Sequence, residues 1–526
     1  MTATLAPAAT SVAVEPSPEP VRGWRERLAP PVSGRGGWVT ALAVGLLAGL
    51  VRFLRLDLPG TGIDRGKIFD EIYYACDAQN LLRYGVEHDT VAGNADCIPK
   101  GGGGFIVHPP LGKWAIAAGE QLFGVSTFGW RVAAALAGTL TVVVLVRLTR
   151  RMTGSTLLGG LAGVLLSLDG LHVVQSRVAM LDVFLTLWTT AAFACLLVDR
   201  QQVRSRLAAA PDDALTGWGP RLGVRPWRLA AGVCLGAAVA TKWSGLYYLA
   251  LLILLAFAWE VGARRTAELR APVRATLVRS LAPLLAALVV LPVALYVLSW
   301  AGWFVSDIGY DRQWAATHPA TGLAQLLPDA VRSLWQYHRE IYGFHDTLTS
   351  RHPYQSHPAG WLLLARPVSY YYPQHIMAGQ YGCMAAACSR EVLAIGTPAI
   401  WWMSIPALLA CGWLWLSRRD WRAGATVLMV AAAIVPWIRD DLKSRTMFLF
   451  YALPAVPFLC LALALLAGWL LGGRGVSARR RAAAATGIGV WVAAVVVNFV
   501  YLYPVLTAQT LPNAAWKSRM WFTSWI

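Results

Sequence analysis

Apolar runs near bilayer length return so regularly along this chain that they decide its fold class before any motif is considered. About eleven stretches approach the roughly 20 residues, at about 1.5 Å rise each, that a membrane helix needs. They begin near Trp38, Phe128, Thr156, Val178, Leu229, Leu246, Ser280, Thr397, Gly424, Met447 and Ala483. The runs after Thr156 and Leu229 are short and must borrow flanking residues to cross. Only 14% of the residues are charged while 56% are hydrophobic, and the mean hydropathy is +0.49, which excludes an ordinary water-soluble globular protein. The expected fold class is an all-α polytopic membrane protein.

The formal charge of +18 then needs a location. Its 46 Lys and Arg are spread between the apolar runs and form no single basic face, so no nucleic-acid partner is expected. With the N-terminus inside, the tail and five short inner loops carry 25 of them: the tail arginines, Arg147/Arg150/Arg151, Arg200 to Arg228, Arg264 to Arg279, Arg418/Arg419/Arg422 and Arg474 to Arg481. Nine acidic residues share that side, a net of +16, against +2 for everything else. The positive-inside rule places the N-terminus in the cytoplasm and, with eleven spans, the C-terminus outside. Residues 1–35, rich in Ala, Pro, Ser and Val, cannot bury a core and read as a disordered cytoplasmic tail; 36–526 read as one transmembrane domain. The run after Trp38 is expected to be a membrane helix rather than a signal peptide, because the tail is long and no small-residue cleavage pattern follows.

Two outer segments, 57–127 and 301–394, are longer than any other connection, and long loops in compact membrane proteins usually carry function. The first holds an amphipathic stretch, Ile72 to Tyr84, expected to lie along the outer membrane surface. Immediately before it stands the pair Asp70-Glu71. Downstream come His108-Pro109-Pro110-Leu111-Gly112-Lys113, then Arg131, then Gln175-Ser176-Arg177 through Asp182, then Thr241-Lys242-Trp243, all on the outer face.

With these motifs in order, joined by His352 to Trp361 (HPYQSHPAGW) and Trp516 to Trp521 (WKSRMW), the sequence resembles the protein O-mannosyltransferases, integral glycosyltransferases of the GT-C fold. The likeness covers nearly all of 38–526. It implies transfer of mannose from a polyprenyl-phosphate carrier to Ser or Thr hydroxyls of secreted or translocating proteins on the outer side, with inversion at the sugar carbon. Eukaryotic members carry three MIR repeats in the segment that corresponds to 301–394, which is too short for them here. The chain therefore looks like the bacterial, actinobacterial-type branch, with a polyprenyl phosphate mannose donor at the plasma membrane. Implied partners are that donor lipid, Ser/Thr-containing secretory acceptors, membrane lipids and the secretion translocon.

A Ser or Thr hydroxyl is a weak nucleophile, so a carboxylate beside it is the expected base. By the family motif that base is Asp70, with Glu71 beside it in the catalytic pair. A single inverting displacement needs no covalent intermediate, and a phosphate leaving group needs cations more than a proton. Arg131, Arg177, Lys242, Arg366 and Arg445, together with Asp182, are the candidates for holding donor phosphate or sugar. His108, Lys113, His352, Ser356, His357 and Trp361 are candidate contacts to acceptor or donor. The plainer readings stay open beside these: Asp70-Glu71 as a helix cap, Arg177 and Asp182 as an ion pair tying two helices, Lys242 as an interfacial anchor.

No metal site is expected: two histidines, His352 and His357, without an acidic neighbour at ligand spacing make a poor one, and no cofactor is implied, while dependence on a divalent ion is left open. Gly101 to Gly104 reads as a hinge. Of eight cysteines, Cys195, Cys234, Cys411 and Cys460 fall in spans; Cys76, Cys97, Cys383 and Cys388 face outward and allow three disulfide pairings, with Cys383–Cys388 preferred on proximity. Two other readings compete: a GT-C transferase with a lipid or glycan acceptor, and a transporter of lipid-linked sugars. The second lacks the internal repeat and midplane site that such carriers commonly show.

Overall fold

The computed structural model describes residues 23–28, 34–60, 66–91, 96–373, 376–473 and 475–526. Most of the expected disordered tail, 1–35, lies outside these. Its described stretch is ordered instead: Trp24–Leu28 is a short helix whose Leu28 is buried among Val203, Leu207, Leu222 and Ala263. Arg25 fixes it, donating to the Ala210 carbonyl at 3.0 Å and to Asp212 at 2.6 Å.

Among the described residues nine helices are long and apolar enough to cross a membrane: Gly36–Phe53, Thr127–Thr153, Asp182–Ala209, Gly245–Thr266, Pro272–Ser299, Pro398–Arg418, Trp421–Leu442, Leu449–Leu471 and Ala478–Leu506. The two runs expected to be short form Thr156–Ser167, of 12 residues, and Pro226–Thr241, of 16. At about 1.5 Å per residue neither alone reaches the roughly 30 Å of a hydrocarbon core.

Local chemistry sets the boundaries. Ser126 caps Thr127–Thr153 by accepting from the Gly129 N–H at 3.1 Å, and the helix ends at Gly154, left-handed at φ 72°. Three starts differ from expectation by four residues or more, and the span near Ala483 begins at Ala478, where Ser477 caps it by accepting from the Arg480 N–H. The span near Val178 begins at Asp182, because residues 176–181 form tight turns that turn Arg177 back onto the end of Gly36–Phe53. The span near Ser280 begins at Pro272, a favoured first helical residue; Pro283 inside it removes a backbone donor and is followed by a wide π turn at Ala286–Val290.

Leu449–Leu471 and Asp182–Ala209 form the centre, with 83% and 72% of their apolar windows buried. Ala478–Leu506 and Pro272–Ser299, at 17% and 22%, present their sides outward, as lipid-facing helices must. The first outer segment contributes two helices, Glu71–Tyr84 and Leu111–Phe123, and a hairpin of His88–Thr90 with Pro99–Gly103. The second contributes the helix Asp329–Thr347 and strand Val368–Tyr371, paired with Val392–Ala394. Of the four residues Gly101 to Gly104, the last two are fixed by close packing, since a Cβ on Gly103 would lie 2.1 Å from the Tyr310 nitrogen and one on Gly104 2.5 Å from that of Asp89, whereas Gly101 and Gly102 have open space around them. Disulfides join Cys76 to Cys97 and Cys383 to Cys388.

Candidate active site

Asp70 occupies the N-terminal boundary of Glu71–Tyr84, yet its side chain makes no capping bond and no other hydrogen bond or ion pair among the described residues. Burial pushes its carboxyl up to about 6, with Lys242 opposing and Asp182 reinforcing the shift. Glu71, the next residue, has the opposite fate. Its carboxylate is fully buried, accepts from Arg131 Nε and Nη2 at 2.7 Å each, and accepts the N–H groups of Ile68 and Ala179 at 2.9 Å. The expectation of a catalytic pair is corrected to one half-buried, unpaired carboxylate and one anchor.

A cavity opens in front of Asp70 in two lobes. The larger, about 690 Å³, is lined by Asp70, Tyr73, Tyr74, Lys113, His352 and Phe448 among others. The smaller, about 250 Å³, is lined by Asp182, Trp243, Tyr247, Arg439 and Asp440. His108, Lys242, His345, Arg445 and Tyr451 line both and form the neck between them.

The cations at that neck are not equivalent. Lys242, at the C-terminal end of Pro226–Thr241, donates to both Asp182 oxygens at 2.9 and 3.0 Å, so its charge is balanced by that carboxylate. Arg445 donates from Nε to the His345 carbonyl at 2.8 Å and from Nη2 to His345 Nδ1 at 3.3 Å. Its Nη1 is buried with no hydrogen bond, 3.7 Å from Asp440. Such a donor is what an incoming phosphate oxygen would satisfy. His345 donates its Nε2–H to the Val107 carbonyl at 2.8 Å, leaving Nδ1 as acceptor; burial lowers its pKa to about 4, so it stays neutral. His108 stacks on His345 at 5.4 Å and burial likewise keeps it neutral.

An apolar groove of about 790 Å³ runs from the smaller lobe along Val239, Leu249, Pro292, Val293 and Tyr296, roofed by Trp335 and His338 of Asp329–Thr347. Trp243, Leu246 and Tyr342 belong to both spaces. The arrangement is a polar pocket with an unpaired carboxylate at one end, basic groups at its neck and a hydrocarbon-lined channel leading away from them.

Three expected phosphate ligands are unavailable. Arg131 is spent on Glu71 and the carbonyls of Leu56, Leu58 and Gly66. Arg177 donates to the carbonyls of Arg52, Leu54 and Arg55, closing the open end of the first long helix rather than pairing with Asp182. Arg366 clamps the carbonyls of Pro353, Ser524 and Ile526. In the HPYQSHPAGW stretch only His352 reaches the cavity. Ser356 accepts from Trp361 Nε1 at 2.9 Å, Trp361 is fully buried, and His357 lies exposed beside Asp441 at 2.6 Å. Lys113 lines the larger lobe but is held by Asp77 at 2.8 Å and Glu87 at 3.2 Å. No group of three His, Cys, Asp or Glu is placed to hold a metal ion among the described residues. His345 and Tyr451 were not singled out from sequence, although His338 and His345, seven residues apart on Asp329–Thr347, mark one helix face.

Fold and site together define a membrane glycosyltransferase of the GT-C architecture. The structure matches the S. cerevisiae protein O-mannosyltransferase Pmt1-Pmt2 complex bound to the sugar donor with a TM-score of 0.70 at 15% identity, over 94% of this chain and 93% of that one. Residues 42–302 match the family model of dolichyl-phosphate-mannose-protein mannosyltransferase, and 330–525 match that of the C-terminal four-helix region of protein O-mannosyltransferase. The polyprenol-phosphate-mannose–protein mannosyltransferase of Mycobacterium tuberculosis is 40% identical over 94% of this chain and 93% of its own length; that of Corynebacterium glutamicum is 34% identical over 87% and 88%. The chain belongs to the protein O-mannosyltransferase family.

Proposed function

We propose that the chain transfers mannose from a polyprenyl phosphate mannose to Ser or Thr hydroxyls of exported proteins, with Asp70 as general base. The observation that carries this reading is the unpaired, half-buried Asp70 carboxylate opposite Lys242 and Arg445 across one cavity. At pH 7 a carboxyl with a pKa of about 6 is about nine-tenths ionised and still basic enough to take a proton as a bond forms. The acceptor oxygen attacks the anomeric carbon from the Asp70 side and its proton passes to Asp70. The bond between that carbon and the phosphate oxygen breaks, and its electron pair leaves with the polyprenyl phosphate. Arg445 Nη1 and the Lys242–Asp182 pair stabilise the departing charge, and the isoprenoid tail lies in the apolar groove. One displacement inverts a β-linked donor to an α-linked product.

The charge asymmetry supports a cytoplasmic N-terminus and an extracytoplasmic site in the plasma membrane, and two disulfides on the side of the site fit an oxidising exterior. Acceptors then reach Asp70 as extended segments leaving the translocon. Purified protein supplied with labelled polyprenyl phosphate mannose and a Ser/Thr-containing peptide should place label on the peptide hydroxyl. Label entering only lipid would favour the glycolipid-acceptor reading, and no transfer to either would reject the proposal.

A further inference from the structure

We infer that Phe69 is a positioning residue for Asp70, acting through the stack of its ring on Tyr370; the inference rests on the reading of Asp70 as the base. Phe69 has φ 49°, the left-handed region that a bulky residue avoids. Such a conformation persists only where the surroundings hold it. Here the ring lies on Tyr370 with centroids 4.2 Å apart and planes 14° apart, while Phe450 meets its edge at 5.9 Å and 85°. Tyr370 is itself fixed. It sits on strand Val368–Tyr371, it is buried, and its hydroxyl accepts from Gln175 Nε2 at 2.6 Å.

Glu71 holds the other side of Asp70 through Arg131 and the N–H groups of Ile68 and Ala179. The base stands between two anchors, one a buried ion pair and the other an aromatic stack. The stack is contributed by the second long outer segment, so that segment, which also lines the cavity with His345 and His352, acts on Asp70 itself through Phe69. An attack geometry is sensitive to displacements near 1 Å, and a turn free to leave the left-handed region would move the carboxylate by at least that much.

The test uses the full chain in detergent with saturating donor and peptide, normalised to folded protein. Phe69→Ala is expected to lower kcat at least 10-fold with the donor KM within 2-fold of wild type, and Phe69→Trp to restore kcat to within about 3-fold. Phe69→Gly separates the two anchoring devices: glycine accepts φ 49° without strain, so if the turn alone aims Asp70 this variant keeps its kcat, whereas a required stack leaves it as slow as Phe69→Ala. Tyr370→Ala should match Phe69→Ala, and the double variant should be no slower than the slower single one. With the ring gone, water reaches Asp70 and the acid limb of the kcat profile, near pH 6 in wild type, moves lower. Retention of kcat by Phe69→Gly, or losses that multiply in the double variant, would overturn the inference. Asp70→Asn run in parallel separates the two levels: inactive Asp70→Asn beside active Phe69→Gly rejects the positioning role alone, and active Asp70→Asn rejects the base as well.

Discussion

Asp70 and Glu71 are adjacent carboxylates with opposite energetic signs, and neutralising each in turn separates the base from its support. Asp70 is raised from 3.8 to about 6 by burial without a partner. At roughly 1.4 kcal/mol per pH unit, keeping it ionised at pH 7 costs the fold about 3 kcal/mol, and less once cavity water is counted. The folded pKa is raised above the unfolded one, so this cost is absent below pH ~4, where both states are protonated. It grows as pH rises and is complete above pH ~6. Asp70→Asn removes it and should unfold at an equal or higher temperature than wild type at pH 7, with the difference vanishing near pH 4. Glu71→Gln leaves Arg131 charged and buried beside a neutral amide, a loss of about 3–5 kcal/mol by the usual cost of breaking a buried pair. Thermal unfolding of the purified variants, followed by the fluorescence of the 25 tryptophans across pH 4–8, reads both. Destabilisation of Asp70→Asn comparable to that of Glu71→Gln would refute the reasoning, since it would make Asp70 a structural partner rather than an unpaired base.

Transfer rates should fall about tenfold per unit below pH ~6, because the acting form of Asp70 is the ionised one, and a rate that stays flat down to pH 4.5 would contradict that. Arg445→Ala should raise the donor KM at least 10-fold, since it removes the buried, unbonded Nη1 at the cavity neck. Arg366→Ala should leave the donor KM unchanged but lower the unfolding temperature, because it releases the Pro353, Ser524 and Ile526 carbonyls; donor titrations and melting curves on both variants check the pair. Filling the apolar groove with Val293→Trp should weaken donors with long isoprenoid tails more than a short-chain analogue, measured by competition.

Elements written as long-range periodicity were readable in the sequence. The apolar runs located the nine long helices and the two short ones, because membrane insertion depends on hydropathy summed over about 20 residues and little on partners. Spacing also favoured the Cys383–Cys388 disulfide, whereas Cys76 and Cys97, 21 residues apart, meet only after the first outer segment folds. Side-chain roles inside that segment were less legible. Arg131, Arg177 and Lys242 all lie close to helix ends, and only the third dimension shows that the first two are absorbed by Glu71 and by open backbone carbonyls while Lys242 faces the cavity. Asp70 was marked by its motif. Arg445 is one cation among several in the sequence, and its distinguishing feature is three-dimensional: His345, on a helix about a hundred residues earlier, holds two of its three nitrogens. The left-handed turn at Phe69 has no signature at all, since nothing in a Phe-Asp-Glu string announces a positive φ.

The most direct test of the whole account is a single-turnover measurement of mannose transfer by wild type and Asp70→Asn, with donor binding measured on the same samples. Asp70→Asn is expected to bind polyprenyl phosphate mannose with unchanged affinity while transfer to a Ser/Thr peptide falls by roughly 10²–10⁴, the usual worth of a positioned general base. Transfer by Asp70→Asn within tenfold of wild type would contradict it.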